Sequence, residues 1–264
     1  MESKKVREIE VIREKLFQMA DDKYREFHCK LVPNMDKEKF IGVRVPDIRS
    51  LAKELVNEWL VDGLEEPERN GNKLDLEKFL SDVPHEYYEE KQLHSFLIDY
   101  LDEDFETCLK RTESFLPEID NWAICDSFKP SGMKKDMKKL YEKLVQWMES
   151  DEPYTVRLAV VLQISWFLEN LFEPAMLDKV LQVAVKWSRG EDKAPKLESD
   201  QYYVLMAVSW YFSIALFKYK DATVGIFIDK KLPRWVHNKS LQKVLESTRY
   251  TYEQKAEFKE MKVR

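Results

Sequence analysis

Residues 6–19, VREIEVIREKLFQM, decide the fold class. Val6, Ile9, Ile12, Leu16 and Met19 recur at spacings of three and four, with Glu, Lys and Arg between them. One face of a 3.6-residue helix is therefore apolar and the other charged. The same rhythm recurs in Pro46–Leu60, Tyr87–Leu101, Phe105–Leu116, Met137–Met148, Val156–Leu168, Leu177–Trp187, Tyr202–Phe217 and Leu241–Leu245. No long stretch alternates with period two, as a half-buried strand would. Gly42, Gly63, Gly71 and Gly190 sit between these segments. Pro46, Pro84, Pro153 and Pro174 fall near segment starts, where a first helical turn tolerates proline. Ser81-Asp82 and Ser150-Asp151 precede two of these prolines and are expected to cap the helices that follow. The longest loops are expected at Asp62–Lys73 and Ser188–Ser199.

The spacing predicts about a dozen helices of ~10–20 residues. Helix pairs recur roughly every 35–45 residues, a period typical of HEAT-like repeats. The expected architecture is all-α: a curved α-solenoid of HEAT-like helix pairs, one domain over residues 1–264, with a compact helical bundle as the alternative. Composition agrees. The 264 residues include 6 glycines, whereas average usage would supply roughly 18. That scarcity excludes glycine-rich phosphate turns and disfavours a barrel or sandwich with many tight turns. Seven Trp, 12 Tyr and 14 Phe provide too much burial drive for a disordered chain. The 43 basic and 49 acidic side chains leave a formal charge of −6. This counts against wholesale coating of nucleic acid, unless basic and acidic residues are segregated to different faces.

Cys29, Cys108 and Cys125 form no C-x-x-C pair, and His28, His85, His94 and His237 are scattered. Neither a disulfide framework nor a metal site is expected, and no cofactor is implied. The opening MESKKVREIE lacks the apolar core of a secretory signal. No apolar run approaches the ~20 residues that span a bilayer. A soluble, reduced, cytoplasmic monomer without membrane contact is the expectation.

One stretch carries candidate chemistry: IDNWAICDSF, residues 119–128. Trp122 and Asp126 are four apart and share a helical face. In YTVRLAVV, residues 154–161, Arg157 interrupts an apolar strip. YYVLMAVSW, residues 202–210, ends on Trp210. The bland readings are concrete. Trp122 would be core, like most of the five tryptophans outside the pair it forms with Trp210. Asp126 would be a cap or an ion-pair partner, with Arg157 as a structural counter-charge. His94 would be packed or capping, and Cys125 has no activating base nearby.

With GVRVPDIRSLAKEL from Gly42 and HNKSLQKVLES from His237, these motifs form an ordered set of five. In that order the chain resembles the AlkD-like DNA alkylation repair proteins, HEAT-like DNA glycosylases. The resemblance implies removal of cationic N3- and N7-alkylated purines from duplex DNA by hydrolysis of the N-glycosidic bond. It implies Asp126 as the catalytic carboxylate, Trp122 and Trp210 flanking the sugar, and Arg157 beside Asp126 or on a phosphate. Tyr24, in KYREF, matches an aromatic that closes the same cleft. The lesion would be read from the backbone side, without the usual enclosing base pocket. Leu205 and Met206 depart from the family pattern, which often places polar or basic residues there.

The chemistry suits these residue types. An alkylated purine is a cation and leaves without a separate acid, so the site must stabilise an oxocarbenium-like sugar. A carboxylate supplies charge and can hold the attacking water. Indole faces attract cations. No lysine is placed for a Schiff base, so a monofunctional enzyme is expected. Arg44 and Arg49 flank Pro46 at a helix start that favours phosphate. Lys239 and Lys243, with His237, and the cluster Lys129, Lys134, Lys135, Lys138 and Lys139 are further backbone candidates. Glu65-Glu66-Pro67-Glu68 and Asp102-Glu103-Asp104 add charge that DNA would avoid. The alternatives are a non-catalytic binder of damaged or branched DNA on the same scaffold, or a protein-binding helical repeat.

Overall fold

The computed structural model describes residues 2–62, 74–190 and 193–263. The chain is all-α, with no strand among the described residues. It divides into two compact units, Met1–Met137 and Lys138–Arg264. The acidic stretch Glu65–Glu68, Gly63 and Gly71 lie outside the described residues.

The first unit contains α1 (Glu2–Gln18), α2 (Asp22–His28), α3 (Val45–Asp62), α4 (Leu76–Ser81), α5 (Tyr88–Tyr100), α6 (Phe105–Phe115) and α7 (Trp122–Ser127). The apolar stripe of α3 is Ile48, Leu51, Ala52, Leu55 and Val56, all buried, and α3 packs on α5. Helix α5 is buried on nearly every side, from Tyr88 to Ile98. That is the burial expected of a central helix rather than a surface one, and it takes polar groups inside.

Each of those polar groups has a partner, as burial demands. Glu90 accepts from Arg13 Nε of α1 at 2.7 Å and from the Glu86 and Tyr87 N–H groups at 3.0 Å. Glu89 accepts from the N–H groups of Ile41, Gly42 and Val43 at 2.9, 2.8 and 3.2 Å. Gln92 Oε1 accepts from the Tyr88 and Ser127 hydroxyls, both at 3.1 Å. His94 Nδ1 lies 2.7 Å from His85 Nε2. His94 is thus a packed residue.

The second unit contains α8 (Met137–Met148), α9 (Pro153–Leu162), α10 (Leu168–Asn170), α11 (Ala175–Ser188), α12 (Asp200–Lys218), α13 (Lys220–Ile228), α14 (Arg234–Glu246) and α15 (Tyr252–Glu260). A π-helical turn, Gln163–Phe167, joins α9 to α10. The central element is α12, which packs on α9, α11, α13 and α14. Among the described residues, no helix is long and apolar enough to cross a membrane.

Several expectations need correction. Ser81 and Asp82 close α4 rather than open a helix: Ser81 Oγ donates to the Lys78 carbonyl, and α5 begins only at Tyr88. Pro84 follows a cis bond in the connecting loop, and the first turn of α5 is capped from within by Glu90. Ser150 Oγ accepts from the Glu152 N–H, one residue ahead of α9. The tract Asp102-Glu103-Asp104 is structural. Asp104 caps α6 through the Glu106 and Thr107 N–H groups, Glu103 pairs with Arg111, and Asp102 pairs with Lys135. Lys135 therefore has an acidic partner within the cluster expected to follow phosphates.

All four histidines are buried, which holds each imidazole below its ordinary value; His85 is pushed down to about 4. An unfolded histidine titrates near 6.5. Below that pH the unfolded chain binds protons that the folded one refuses. The contribution to stability is complete above about pH 6.5 and is lost as pH falls through the lowered folded values. Urea denaturation is expected to show stability declining between about pH 7 and pH 5, by up to ~1.4 kcal/mol per pH unit for each histidine. A flat profile over that range would contradict the burial described here.

Candidate functional site

Helix α7 carries the Trp122–Asp126 pair. Six residues are too few for a helix to persist alone, so its stability must come from tertiary bonds. Asn121, fully buried, caps it: Oδ1 accepts from the Ala123 and Ile124 N–H groups, both at 3.0 Å. Ile124, Cys125 and the following Phe128 are fully buried. Ser127 Oγ reaches the Ala123 carbonyl at 2.7 Å and Gln92 of α5 at 3.1 Å. With the inward face so occupied, Trp122 and Asp126 share the other side, both half-buried. Trp122 is therefore not core. Nor are most of the other tryptophans: Trp147 and Trp187 are buried, whereas Trp59, Trp166 and Trp235 are only partly so.

A latch joins the start of α7 to the chain that follows α2. Trp122 Nε1 donates to the Leu31 carbonyl at 3.0 Å. Asn34 Nδ2 donates to the Asp120 carbonyl at 2.8 Å, and Asn121 Nδ2 to Met35 Sδ at 3.2 Å. Lys91 of α5 holds the Asp120 carboxylate at 2.6 Å. The indole plane is set by its own N–H as well as by packing.

Tyr24 lies on α2, whose cap is Asp21. Its ring stacks on His28 at 5.2 Å, and the Arg44 guanidinium sits 4.7 Å from its centroid. Burial, and then the Glu89 charge, raise the Tyr24 hydroxyl above its ordinary value. The Tyr24 N–H and then Arg44, whose Nη2 is 2.9 Å away, hold the Asp21 carboxyl below its ordinary value. Arg44 and Arg49 take different neighbours. Arg44 is exposed beside Tyr24, whereas Arg49 packs 3.9 Å from the Phe96 ring and donates to the Tyr100 hydroxyl at 3.2 Å.

The remaining candidates belong to the second unit. Arg157, on α9, is 6% exposed and donates to the Tyr203 carbonyl of α12. Trp210 is half-buried on α12, in register with Tyr202 and Met206 at spacings of four, which are also half-buried. Leu205 is core. Lys239 and Lys243 lie one turn apart on α14, and Lys239 Nζ donates to Gln242 at 3.2 Å. His237 does not join them. It is fully buried, with Nε2 2.9 Å from the Met261 carbonyl, so that nitrogen carries the proton.

Sequence reasoning missed Trp235. It precedes Lys239 and Lys243 by four and eight residues on α14, and its ring lies 6.0 Å from that of Tyr202. The signal was present as an aromatic followed by two lysines at helical spacing. No group of three His, Cys, Asp or Glu is placed to hold a metal ion among the described residues. What α7 presents is a carboxylate and an indole on one face, suited to a cationic sugar and a water molecule.

Comparison with known families matches residues 12–193 to the family described as DNA alkylation repair enzyme. The chain belongs to that family. No curated protein and no solved structure matches it. The matched span holds Tyr24, Arg44, Arg49, Trp122, Asp126 and Arg157, and ends before Trp210, Lys239 and Lys243.

Asn121→Ala removes both cap bonds and is expected to destabilise the protein by about 0.5–2 kcal/mol. The loss should appear in the melting temperature together with a red-shifted, less protected Trp122 fluorescence, read in a variant keeping Trp122 as its reporter. An unchanged melting temperature and spectrum would show that burial alone holds α7.

Proposed function

We propose that this DNA alkylation repair enzyme is a monofunctional glycosylase that excises N3- and N7-alkylated purines from duplex DNA. The observation that carries the reading is the anchored, half-buried Trp122–Asp126 face of α7. The family match supports DNA alkylation as the damage addressed.

The chemistry follows from charge. The N-glycosidic electron pair leaves with the alkylated purine and neutralises it, while the sugar becomes an oxocarbenium-like cation. Asp126 stabilises that cation and orients a water whose oxygen bonds to the anomeric carbon; the water's proton passes to the carboxylate or to solvent. Trp122 contributes its ring face. Trp210, Arg157 and Tyr24 are assigned to the same substrate, with Arg44, Arg49, Lys239 and Lys243 on backbone phosphates. The product is an abasic site, formed without a Schiff base or a cofactor. The enzyme is taken to act as a cytoplasmic monomer.

The test is release of N7-methylguanine and N3-methyladenine from methylated duplex DNA. The wild type should release them, and Asp126→Asn should be slower by about 100-fold or more while still binding DNA. Wild-type protein that is folded and binds DNA yet releases no base would overturn the enzymatic reading.

A further inference from the structure

Two neighbouring residues of α5 hold the two ends of α7. Gln92 meets Ser127, the last residue of α7, at 3.1 Å. Lys91 reaches the other end: its Nζ donates to Asp120 Oδ2 at 2.6 Å and lies 3.9 Å from Glu118 Oε2. The Lys91 side chain is only 12% exposed. Holding an ammonium out of water is costly, and a buried ion pair adds little net stability. The best-attested use of such a pair is to fix one arrangement among several.

The arrangement at stake is the cap of α7. Asp120 Oδ1 accepts from Asn121 Nδ2 at 2.8 Å, while Asn121 Oδ1 accepts from the Ala123 and Ile124 N–H groups. Turned over, the Asn121 amide would set its NH2 against those two N–H groups, donor against donor. A carboxylate accepts and does not donate, so Asp120 selects the capping orientation. The Asp120 side chain is 41% exposed, and without a cation to hold it the carboxylate could turn toward solvent. From Lys91 to α7 the order is therefore cation, anion, amide dipole and helix N-terminus, each polarising the next.

We infer that Lys91 is the positioning residue of the Trp122–Asp126 face, acting through Asp120 and Asn121 to set the start of α7 for base excision. Trp122 is the first residue of that helix, and Asp126 follows one turn later. Gln92 keeps the far end in place, so loss of Lys91 tilts the face rather than releasing it. A misplacement of about 1 Å can cost on the order of 100-fold in rate. With its Nζ turned onto Asp120 and little of its side chain exposed, Lys91 is not placed to bind phosphate. The inference rests on reading the Trp122–Asp126 face as the lesion site.

The experiment has two readouts, one of them independent of base release. In isotope-labelled protein the indole N–H resonance of Trp122, identified by its loss in Trp122→Phe, reports the bond to the Leu31 carbonyl. Lys91→Met keeps the apolar stem and removes the charge. It should shift that resonance and speed its exchange with water. On methylated duplex it should lower kcat by about 10–100-fold with KM nearly unchanged, and Lys91→Arg should recover part of both effects. Combined with Asp120→Asn, it should cost no more than the larger single loss, because both act through one chain of bonds. If Lys91→Met does not fold, Asp120→Asn, at a more exposed side chain, gives the same two readouts. A folded Lys91→Met with unchanged kcat overturns the inference, whether or not the resonance moves; a raised KM with that kcat would mark a phosphate contact instead. If the wild type releases no base, the resonance decides. Its dependence on Lys91 then overturns the catalytic reading alone, and its indifference overturns the positioning role as well.

Discussion

The Glu89 carboxylate is buried on α5 without a cationic partner among the described residues, and the geometry of the first unit depends on how it is satisfied. Three successive N–H groups, from Ile41, Gly42 and Val43, converge on it. A charge in an apolar interior is costly unless its lone pairs are filled, and charge-assisted bonds from fixed amides fill them well. Burial still dominates and raises the carboxyl above its ordinary value. The bend that aims three amides at one point needs Gly42 at φ +99°, and a Cβ there would stand 2.7 Å from the Asp21 carbonyl. The Gly42 carbonyl in turn accepts from the Asp21 N–H. One buried carboxylate thus shapes the loop that sets the cap of α2 and launches Arg44 toward Tyr24.

The same logic extends to the candidate chemistry. Helix α7 is short and owes its place to a buried cap, to Ser127 on Gln92, and to the latch through Leu31 and Asn34. Such a helix is held at a fixed angle while its other face stays only half-buried. A longer helix with a full apolar stripe would have buried that face. Gly132 shows comparable crowding nearby: a Cβ would meet the Glu103 carbonyl at 2.7 Å and Cys108 Cβ at 2.8 Å. The close approach holds the segment after α7 against α6.

Legibility in the sequence followed helix length. The long amphipathic segments match well: Met137–Met148 is α8 to the residue, and Pro46–Leu60 lies within α3. The short helices α2, α4 and α15 have too few residues to show a period, and α13 contains Gly225, which reads as punctuation. Capping was read wrongly at Ser81-Asp82 because a cap is a bond rather than a residue type, and Glu90 made that bond from inside the next helix. Surface charge was the least legible. His237 is core, and the acids at 102–104 are bound to a helix end, Arg111 and Lys135.

By itself the sequence determined the all-helical class, because hydrophobic periodicity is local and 3.6-residue spacing has one geometric meaning. It also determined that Trp122 and Asp126 share a face, since residues four apart on any helix do. Only the tertiary structure decided that this face is half-buried rather than core, and that the Trp122 indole is tied to Leu31. Exposure is set by which distant segments pack against a helix. Here those are residues 31–35 and α5, whose polar groups meet α7 through bonds that no local spacing records.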